Sequence, residues 1–323
     1  MKKVIATLVT LILAALAGLA FGASEVAGLW GYIFSPFSDA QALGHQIIWE
    51  IRAPRVGAAL LVGASLGIAG ALAQGSTNNP LAEPAILGTT AGAALGVLIG
   101  VLSNAVEIGS IGAVAFAALG ALAVTSLVFS LARSALSLIT IGIGVSAIVS
   151  ALVGLAITAV SRPDARSISF WSFGSFALVG GEDLLILGPI LLICAAIAGK
   201  MAPAVDLLSL GDAAVRHSGR SPQQIRFRAF ALLSILVATT VSVVGAIAFL
   251  ALAAPHIARY LYGPRHRPLL IHSALIGALI LLLADIASRS LLPPLELPIG
   301  LITSLIGAPI LILALKRGGD VWR

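Results

Sequence analysis

The sequence has very little charge: only 10% of its 323 residues are Asp, Glu, Lys or Arg, whereas 59% are hydrophobic. Soluble globular chains carry about 25% charged residues, so this composition excludes an ordinary soluble domain. The single cysteine, Cys194, excludes a disulfide framework or a cysteine metal cluster. The sequence also lacks a phosphate-binding loop and a long soluble stretch, so we expect no nucleotide hydrolysis by this chain alone.

Long apolar runs take the place of the missing charges. Runs of roughly eighteen or more apolar residues recur, which is the length that crosses a hydrocarbon core of ~30 Å. They do not alternate as barrel strands do, so they are predicted to be helices. The chain is therefore predicted to be an all-α integral membrane protein, a single domain over 1–323. The predicted spans are 4–22, 56–74, 85–103, 109–131, 136–159, 184–202, 229–247, 249–262, 269–289 and 297–316.

The distribution of basic residues orients these ten spans. The first run is long for a signal peptide and is interpreted as an uncleaved span. With a cytoplasmic amino terminus, fourteen of the nineteen Lys and Arg residues fall on the inner side, as the positive-inside rule requires. The exceptions are Arg52, Arg55, Arg162, Arg166 and Arg289. The run at 249–262 is too short to cross unaided, but omitting it would move a basic cluster to the outer face. Both termini are predicted to be cytoplasmic.

The spans contain weak internal symmetry. Residues 56–159 and 229–316 each hold four spans, and one span separates them, so the two blocks have opposite orientations. Each block opens with a helix rich in small residues that leads to a proline-containing break, predicted at 79–84 and at 254–256. Inverted repeats are typical of transporters. Gly63, Gly67 and Gly70, at helical spacing, are predicted to let helices pack closely.

Three separated blocks of sequence combine prolines, glycines and a few charged residues. The first block is Arg52-Ala53-Pro54-Arg55, Gly63 to Gln74 and Asn79-Pro80-Leu81-Ala82-Glu83-Pro84; the second is Gly245 to Phe249 with Pro255-His256-Ile257-Ala258-Arg259; the third is Ala284-Asp285, Glu296-Leu297-Pro298-Ile299-Gly300 and Gly307-Ala308-Pro309. These blocks resemble one known family, the iron-chelate and cobalamin-type (FecCD-like) permeases of ATP-binding-cassette (ABC) importers. The resemblance covers about 45–316. The departures are Glu83, where the family often has Asp, and Ala246, where it often has Pro.

The resemblance implies a permease of the type II importer fold in the bacterial cytoplasmic membrane. It implies a homodimer that works with two cytoplasmic ATPase subunits and an extracytoplasmic substrate-binding protein. No cofactor is expected on this chain, since ATP and magnesium would bind the ATPase. Nucleic acid is not an expected partner, because the net charge of +6 lies in short loops between the spans.

The resemblance also places an ATPase-coupling helix in the inner segment at about 203–228. The residues begin acidic and end basic, as the helix dipole favours, and the leucines are expected to fill a groove on the ATPase. The alternative is a helix that lies on anionic lipid. The residues assigned to coupling are Asp206, Leu207, Leu208, Leu210, Gly211, Arg216 and Gly219.

Three external arginines are predicted to dock the substrate-binding protein. In the family, the residues that correspond to Arg52, Arg55 and Arg289 pair with glutamates on that protein. The guanidinium group suits bidentate pairing with carboxylates. The alternative is that these side chains reach to lipid headgroups.

The resemblance further implies that the fifth and tenth spans line the pore. The inward residues would be Gly142, Ser146, Ser150, Gly154, Thr303, Ser304 and Gly307, with a cytoplasmic gate at 133–137 that includes Ser134 and Ser137. Few hydrogen-bonding groups line this path, which suits a bulky chelate that must be released.

Asp285, an acid within a span, admits a rival class, because an ion-coupled secondary transporter could use it as a proton or cation site. We expect a structural role for Asp285, and likewise for His256. An intramembrane enzyme would need a catalytic constellation that the spans lack. A ferric siderophore is the expected substrate, with haem and cobalamin as alternatives.

Overall fold

The computed structural model describes residues 2–22, 24–34, 42–132, 134–158, 168–293 and 295–317. Within these ranges the chain is helical, and the bridged pair Leu292 and Leu295 belongs to no strand. The all-α prediction is confirmed. The helices are α1 (Lys2–Ala20), α2 (Leu29–Phe34), α3 (Leu43–Thr77, with π-helical turns at Ile47–Arg52), α4 (Thr89–Leu102), α5 (Ile111–Leu131), α6 (Ala135–Thr158), α7 (Gly181–Leu208), α8 (Asp212–His217), α9 (Pro222–Val244), α10 (Leu250–Tyr262), α11 (His266–Ser290) and α12 (Ile299–Arg317). Residues 168–172 are also helical.

A helix lies at each of the ten predicted spans. Among the described residues, seven helices are long and apolar enough to cross a membrane: α1, α3, α5, α6, α7, α9 and α11. The helices α4 and α10 have only 14 and 13 residues. The chain is therefore a multi-pass membrane protein, while the count of ten spans remains a prediction.

The boundaries of the inner segment differ from the prediction. About half of the segment predicted at 203–228 belongs to the neighbouring helices, because α7 continues through Pro203 to Leu208 and α9 begins at Pro222. Hydropathy falls before α7 ends and rises only after α9 has begun, which is why the sequence ended the first helix too early and started the second too late. The start of α9 has a local signal, since the Ser221 hydroxyl accepts from the Gln224 N–H and proline occupies the first helical position.

The core of the bundle is α3, which packs against α7, α9, α10 and α11. Close approach to α11 depends on glycine: a Cβ at Gly67 would overlap the Ser273 carbonyl, and one at Gly63 would overlap Gly277. Small residues allow membrane helices this proximity, and the predicted packing role is confirmed. The helices α1, α6 and α7 lie at the periphery, and few of their residues are buried.

Two helical breaks lie beside each other inside the bundle. The first covers 78–88, between the left-handed Asn78 that ends α3 and Gly88 that precedes α4. The second covers 245–249, where Gly245 and Phe249 have φ values of 74° and 63°. The buried Glu83 carboxylate accepts from the Phe249 N–H at 2.7 Å, which joins the two breaks.

The second break corrects the sequence analysis, which expected it at 254–256. Pro255 instead lies inside α10. A proline leaves the carbonyl four residues earlier without its helical donor, and that carbonyl belongs to Ala251. Gly70 lies against the Ala251 carbonyl and, having no side chain, leaves it room. The helix therefore continues past Pro255, and the chain turns at Gly245 instead.

Candidate functional site

A cluster of buried charges joins α1, α3 and α11 at the end of the bundle that the charge distribution predicts to be external, here called the outer end. Arg55 donates from Nε to Asp285 Oδ1 at 2.6 Å and from Nη1 to Glu296 Oε1 at 2.8 Å. Arg289 lies one turn beyond Asp285, with its Nε 3.2 Å from Asp285 Oδ2. Its Nη2 donates to the Gly18 carbonyl at 2.6 Å. One fully buried carboxylate therefore lies between two buried arginines.

Arg52 completes the attachment of α1 through backbone oxygens. Its Nη1 donates to the carbonyls of Leu19 and Ala20, at 2.9 and 2.7 Å, and its Nη2 donates to Ser24. These carbonyls lie at the end of α1, where the helix leaves acceptors unsatisfied and carries a partial negative charge. The Arg52 guanidinium therefore caps α1.

This geometry bears on the docking prediction, which stays a prediction. Arg52, Arg55 and Arg289 are only 3%, 5% and 4% exposed, and each donates to acceptors within the same chain. Two of the buried donors, Arg55 Nη2 and Arg289 Nε, have no hydrogen-bond partner among the described residues. The three arginines hold the outer ends of three helices together. Asp285 forms ion pairs with two of them.

The inner end carries the candidate coupling segment, which runs from the end of α7 through α8 to the start of α9. Leu210 is 70% exposed, and Gly211, Arg216 and Gly219 are exposed as well. Gly211 and Gly219 have φ values of 92° and 74°, so they form the turns that let α8 stand out from the bundle. These four residues lie where a partner could reach them.

The other three predicted coupling residues lie at the end of α7 rather than in a separate helix. Leu208 is 1% exposed and packs with Val205, Val215 and Ile225 in a small cluster separate from the main core. Leu208 therefore packs against Val215 of α8 within this chain, and its role in coupling stays a prediction. Leu207 is half-buried beside this cluster.

Asp206 links the coupling segment to α11. Its Oδ1 accepts from the backbone N–H of His266 at 2.9 Å and lies 2.6 Å from His266 Nδ1. The backbone bond caps the first turn of α11, where donors are otherwise unsatisfied. A cavity of about 400 Å³ opens beside this link, and its lining includes Gln74, Asn79 and Leu210.

A second polar link lies on the other side of α8. Arg226 donates from Nη2 and Nη1 to the two oxygens of Asp212, at 2.6 and 3.0 Å, and from Nε to the Ser76 carbonyl at 3.1 Å. The hydrogen bonds from Arg226 lower the pKa of the Asp212 carboxyl below its ordinary value. One guanidinium thereby joins α8, α9 and the end of α3.

The predicted pore residues on α6 divide into two groups. Ser150 and Gly154 lie exposed on α6. Ser146 is half-buried, and its hydroxyl donates to the Ala85 carbonyl at 3.0 Å. Gly142 is buried against the Ile86 carbonyl, so it packs α6 onto the first break and does not face an open path.

The predicted pore residues on α12 are mainly internal. Thr303 is 2% exposed and bonds the Gly300 carbonyl, while Gly307 is buried against Phe249. Both residues pack within the chain, and their place on the substrate path stays a prediction. Ser304 is half-buried and bonds the same Gly300 carbonyl.

The predicted gate residues cap the start of α6. The Ser137 hydroxyl accepts from the Ser134 N–H at 2.8 Å, and the Ser134 hydroxyl accepts from the Ser137 N–H at 3.1 Å. This reciprocal pair has the form of a capping box and is exposed. The neighbouring Arg133 lies outside the described residues, and the gating role of this loop remains a prediction.

The described residues contain no group of three or more His, Cys, Asp or Glu side chains that could hold a metal ion. The described helices form a bundle with a cluster of buried charges at its outer end, two adjacent breaks in its interior and the short helix α8 at its inner end. Residues 8–317 of this bundle match the model of the FecCD transport family. The chain belongs to the FecCD transport family.

Curated relatives in this family are transport permeases. The iron(3+)-hydroxamate import system permease protein FhuB of Bacillus subtilis is 36% identical over 293 residues, which cover 88% of this chain and 75% of FhuB. The hemin transport system permease protein HmuU of Yersinia pestis is 35% identical over 77% of this chain and 76% of its own length. The vitamin B12 import system permease protein BtuC of Escherichia coli is 36% identical over 79% and 78%.

The fold is also shared with a solved structure, described as an inward-facing conformation of a metal-chelate type ABC transporter. That chain is 31% identical to this one, with a TM-score of 0.85, and the match covers 98% of this FecCD protein and 99% of the other chain. The resemblance deduced from the three sequence blocks is confirmed.

Three contacts of this FecCD protein were not expected from the sequence: Glu83 with Phe249, Asp206 with His266, and Asp212 with Arg226. Glu83 had a signal, as a lone acid in a proline-rich break between apolar runs. Asp206 and Asp212 had none beyond their charge, because each partner lies on a different helix.

Proposed function

We propose that this FecCD protein is the transmembrane permease subunit of an ATP-driven importer. The substrate would be a ferric siderophore or a related iron chelate, carried across the bacterial cytoplasmic membrane. The observation that carries the proposal is the match over 8–317, together with the similarity to the iron-hydroxamate permease FhuB over 88% of the chain. HmuU and BtuC have comparable identity, so haem and cobalamin are the alternative substrates.

The proposed arrangement has ten spans with cytoplasmic termini, two inverted repeats and a homodimer. Ten helices at the predicted positions and the distribution of Lys and Arg support it. The adjacent breaks at 78–88 and 245–249 lie at comparable places in the two repeats, which also supports it. In the dimer, the exposed faces of α6 with Ser150 and Gly154 would border the substrate path.

The partner ATPase would bind at α8, and ATP and magnesium would be held there rather than by this chain. Exposed Arg216 supplies a positive contact on α8, which lies between the turns at Gly211 and Gly219, and exposed Leu210, in the turn just before α8, supplies an apolar one. An external substrate-binding protein would deliver the chelate at the outer end.

The ion-coupled alternative is weakened by the position of Asp285. A proton or cation site must release its ion in each cycle, whereas this carboxylate is enclosed by two arginines within 3.2 Å. A fixed pair of positive charges competes directly with a bound cation. The structure therefore favours a transporter whose energy comes from a partner.

Uptake by a deletion strain tests the proposal. Cells lacking this gene would be given one radiolabelled chelate at a time: a hydroxamate siderophore, a catecholate siderophore, haem or cobalamin. Loss of uptake of a ferric siderophore, restored by the gene, is expected. Loss of haem uptake alone, or of cobalamin uptake alone, would show that this molecule and not a ferric siderophore is the substrate. Unchanged uptake of all four would contradict the chelate-import proposal.

A further inference from the structure

Arg226 is the one residue of the inner segment that bonds α8 and the end of a core helix at the same time, among the described residues. We infer that Arg226 is a positioning residue that transmits displacement of α8 to the end of α3 and the break at 78–88. The inference rests on the proposed function, in which a partner ATPase binds α8.

The attachment of α8 to the bundle is narrow. Its buried side chain, Val215, packs in a cluster of four residues separate from the main core. The connection of α8 across to the end of α3 is made by Arg226, which bonds Asp212 with both Nη atoms and Ser76 with Nε. A planar guanidinium with fixed donors holds two partners in one geometry, which a flexible ammonium does not.

The Ser76 carbonyl is well placed to pass on a movement. It lies in the last turn of α3, and Asn78 in left-handed conformation ends the helix two residues later. The break that follows is bonded to the second break and to one further helix. Glu83 accepts from Phe249 before α10, and the Ala85 carbonyl accepts from Ser146 on α6. A shift of this break would therefore reach α6, the helix proposed to border the path.

Space for such a shift lies beside the ion pair. A cavity of about 410 Å³ is lined by Asp212, Arg226, Gln223, Phe129 and, from the start of α6, Ser134 and Leu138. Arg226 and Asp212 of α8 thus both border an open volume that extends to the amino end of α6. A tightly filled site would fix α8 without allowing it to move.

Hydrogen exchange of the intact complex tests this inference. The permease with its partner ATPase would be placed in nanodiscs, with and without a non-hydrolysable ATP analogue, and deuterium uptake followed in peptides covering 76–88 and 209–221. In the wild type the nucleotide should change exchange in both. Arg226→Gln should keep the nucleotide-dependent difference in deuterium uptake at 209–221. At 76–88 that difference should shrink by at least about fivefold, which is the lower bound of typical coupling between sites.

Matched variants separate transmission from simple support. Arg228→Gln, two residues away on the exposed side of α9, should behave as wild type. Arg226→Lys should give an intermediate response, because it keeps the charge but not the three-way geometry. Asp212→Asn, which breaks the same link from the other side, decides the question if Arg226→Gln cannot be purified.

The inference is overturned if Arg226→Gln keeps the 76–88 response. It is overturned equally if the variant no longer binds the ATPase, because Arg226 would then only brace α8. A wild-type complex that shows both responses but imports no chelate would contradict the proposed substrate and leave the inference standing. A wild-type chain that binds no ATPase would overturn both.

Discussion

Replacing Asp285 with asparagine should destabilise the protein strongly, because this carboxylate balances two buried arginines. Its side chain is 0% exposed, while those of Arg55 and Arg289 are 6% and 4% exposed. Asparagine keeps the shape and one acceptor oxygen but removes the negative charge. The matched control is Glu296→Gln, which removes a carboxylate from the same cluster at a position that is 32% exposed.

The two substitutions should differ in magnitude. Breaking a buried ion pair by removing one partner costs roughly 3–5 kcal/mol, because the remaining charge is left uncompensated. Asparagine still accepts one hydrogen bond, so about 3 kcal/mol is expected for Asp285→Asn. Water reaches Glu296 and screens its pair with Arg55, so about 1 kcal/mol or less is expected there. The difference of about 2 kcal/mol corresponds to about 30-fold in the unfolding equilibrium constant.

Equilibrium unfolding in mixed micelles, followed by tryptophan fluorescence, measures this difference. A combined variant with Arg55→Met, Asp285→Leu and Arg289→Met removes the charges together and should recover much of the loss, since apolar replacement of a whole buried group is often neutral. Equal destabilisation by Asp285→Asn and Glu296→Gln would refute the reasoning. A combined variant less stable than Asp285→Asn would show that packing, not charge, dominates.

Three further predictions concern the inner end and the core. Leu208→Asp should lower the yield of folded protein, because an uncompensated charge in a buried cluster costs several kcal/mol. Leu210→Asp should leave folding intact and weaken co-purification of the ATPase. The reverse pattern would contradict the burial of Leu208 and the exposure of Leu210. Gly67→Val should separate α3 from α11 and lower the thermal unfolding midpoint, and an unchanged midpoint would be inconsistent with the close packing of these helices. The pairing of Asp212 with Arg226 should hold at pH values above the ordinary carboxyl pKa of about 3.9. It should be lost as the pH falls through the lowered pKa that Asp212 has in the folded protein, and hydrogen exchange at 209–221 would detect the loss. Loss of the pairing near neutral pH would contradict this prediction.

The positions of the helices were largely predictable from the sequence. A helix lies at every predicted span, because apolar runs in lipid have few structural options. Boundaries were less predictable where polar helix extends beyond the apolar run, as at the end of α7 and the start of α9. The Ser221-Pro222 pair did mark that second start, and it was a signal that hydropathy alone ignores.

The partners of the arginines within the chain were not predictable, for a physical reason. A charge next to an apolar run looks the same in sequence whether it faces solvent or a buried carboxylate. The partner of Arg55 is Asp285, 230 residues away, and only the packing of α3 against α11 brings them together. The scarcity of charge was the available signal, since an acid and several arginines in otherwise apolar spans must be paired or exposed.

The pore assignments show a similar limit. Small and polar residues on α6 and α12 suit a substrate path, but they also suit close packing and bonding to the helix backbone. The structure places Gly142 and Gly307 in close contacts, while a Cβ added at Gly154 would meet no atom within 4 Å. Periodicity gives the face of a helix but not what covers that face.

ATP-dependent accumulation in proteoliposomes tests the central claim most directly. The permease, its partner ATPase and its substrate-binding protein would be reconstituted, with ATP supplied on the ATPase side and a radiolabelled ferric siderophore on the other. The account predicts accumulation that requires ATP and all three proteins and that excess unlabelled siderophore abolishes. Accumulation driven by a proton gradient with the permease alone, or none with any ferric chelate, would contradict it.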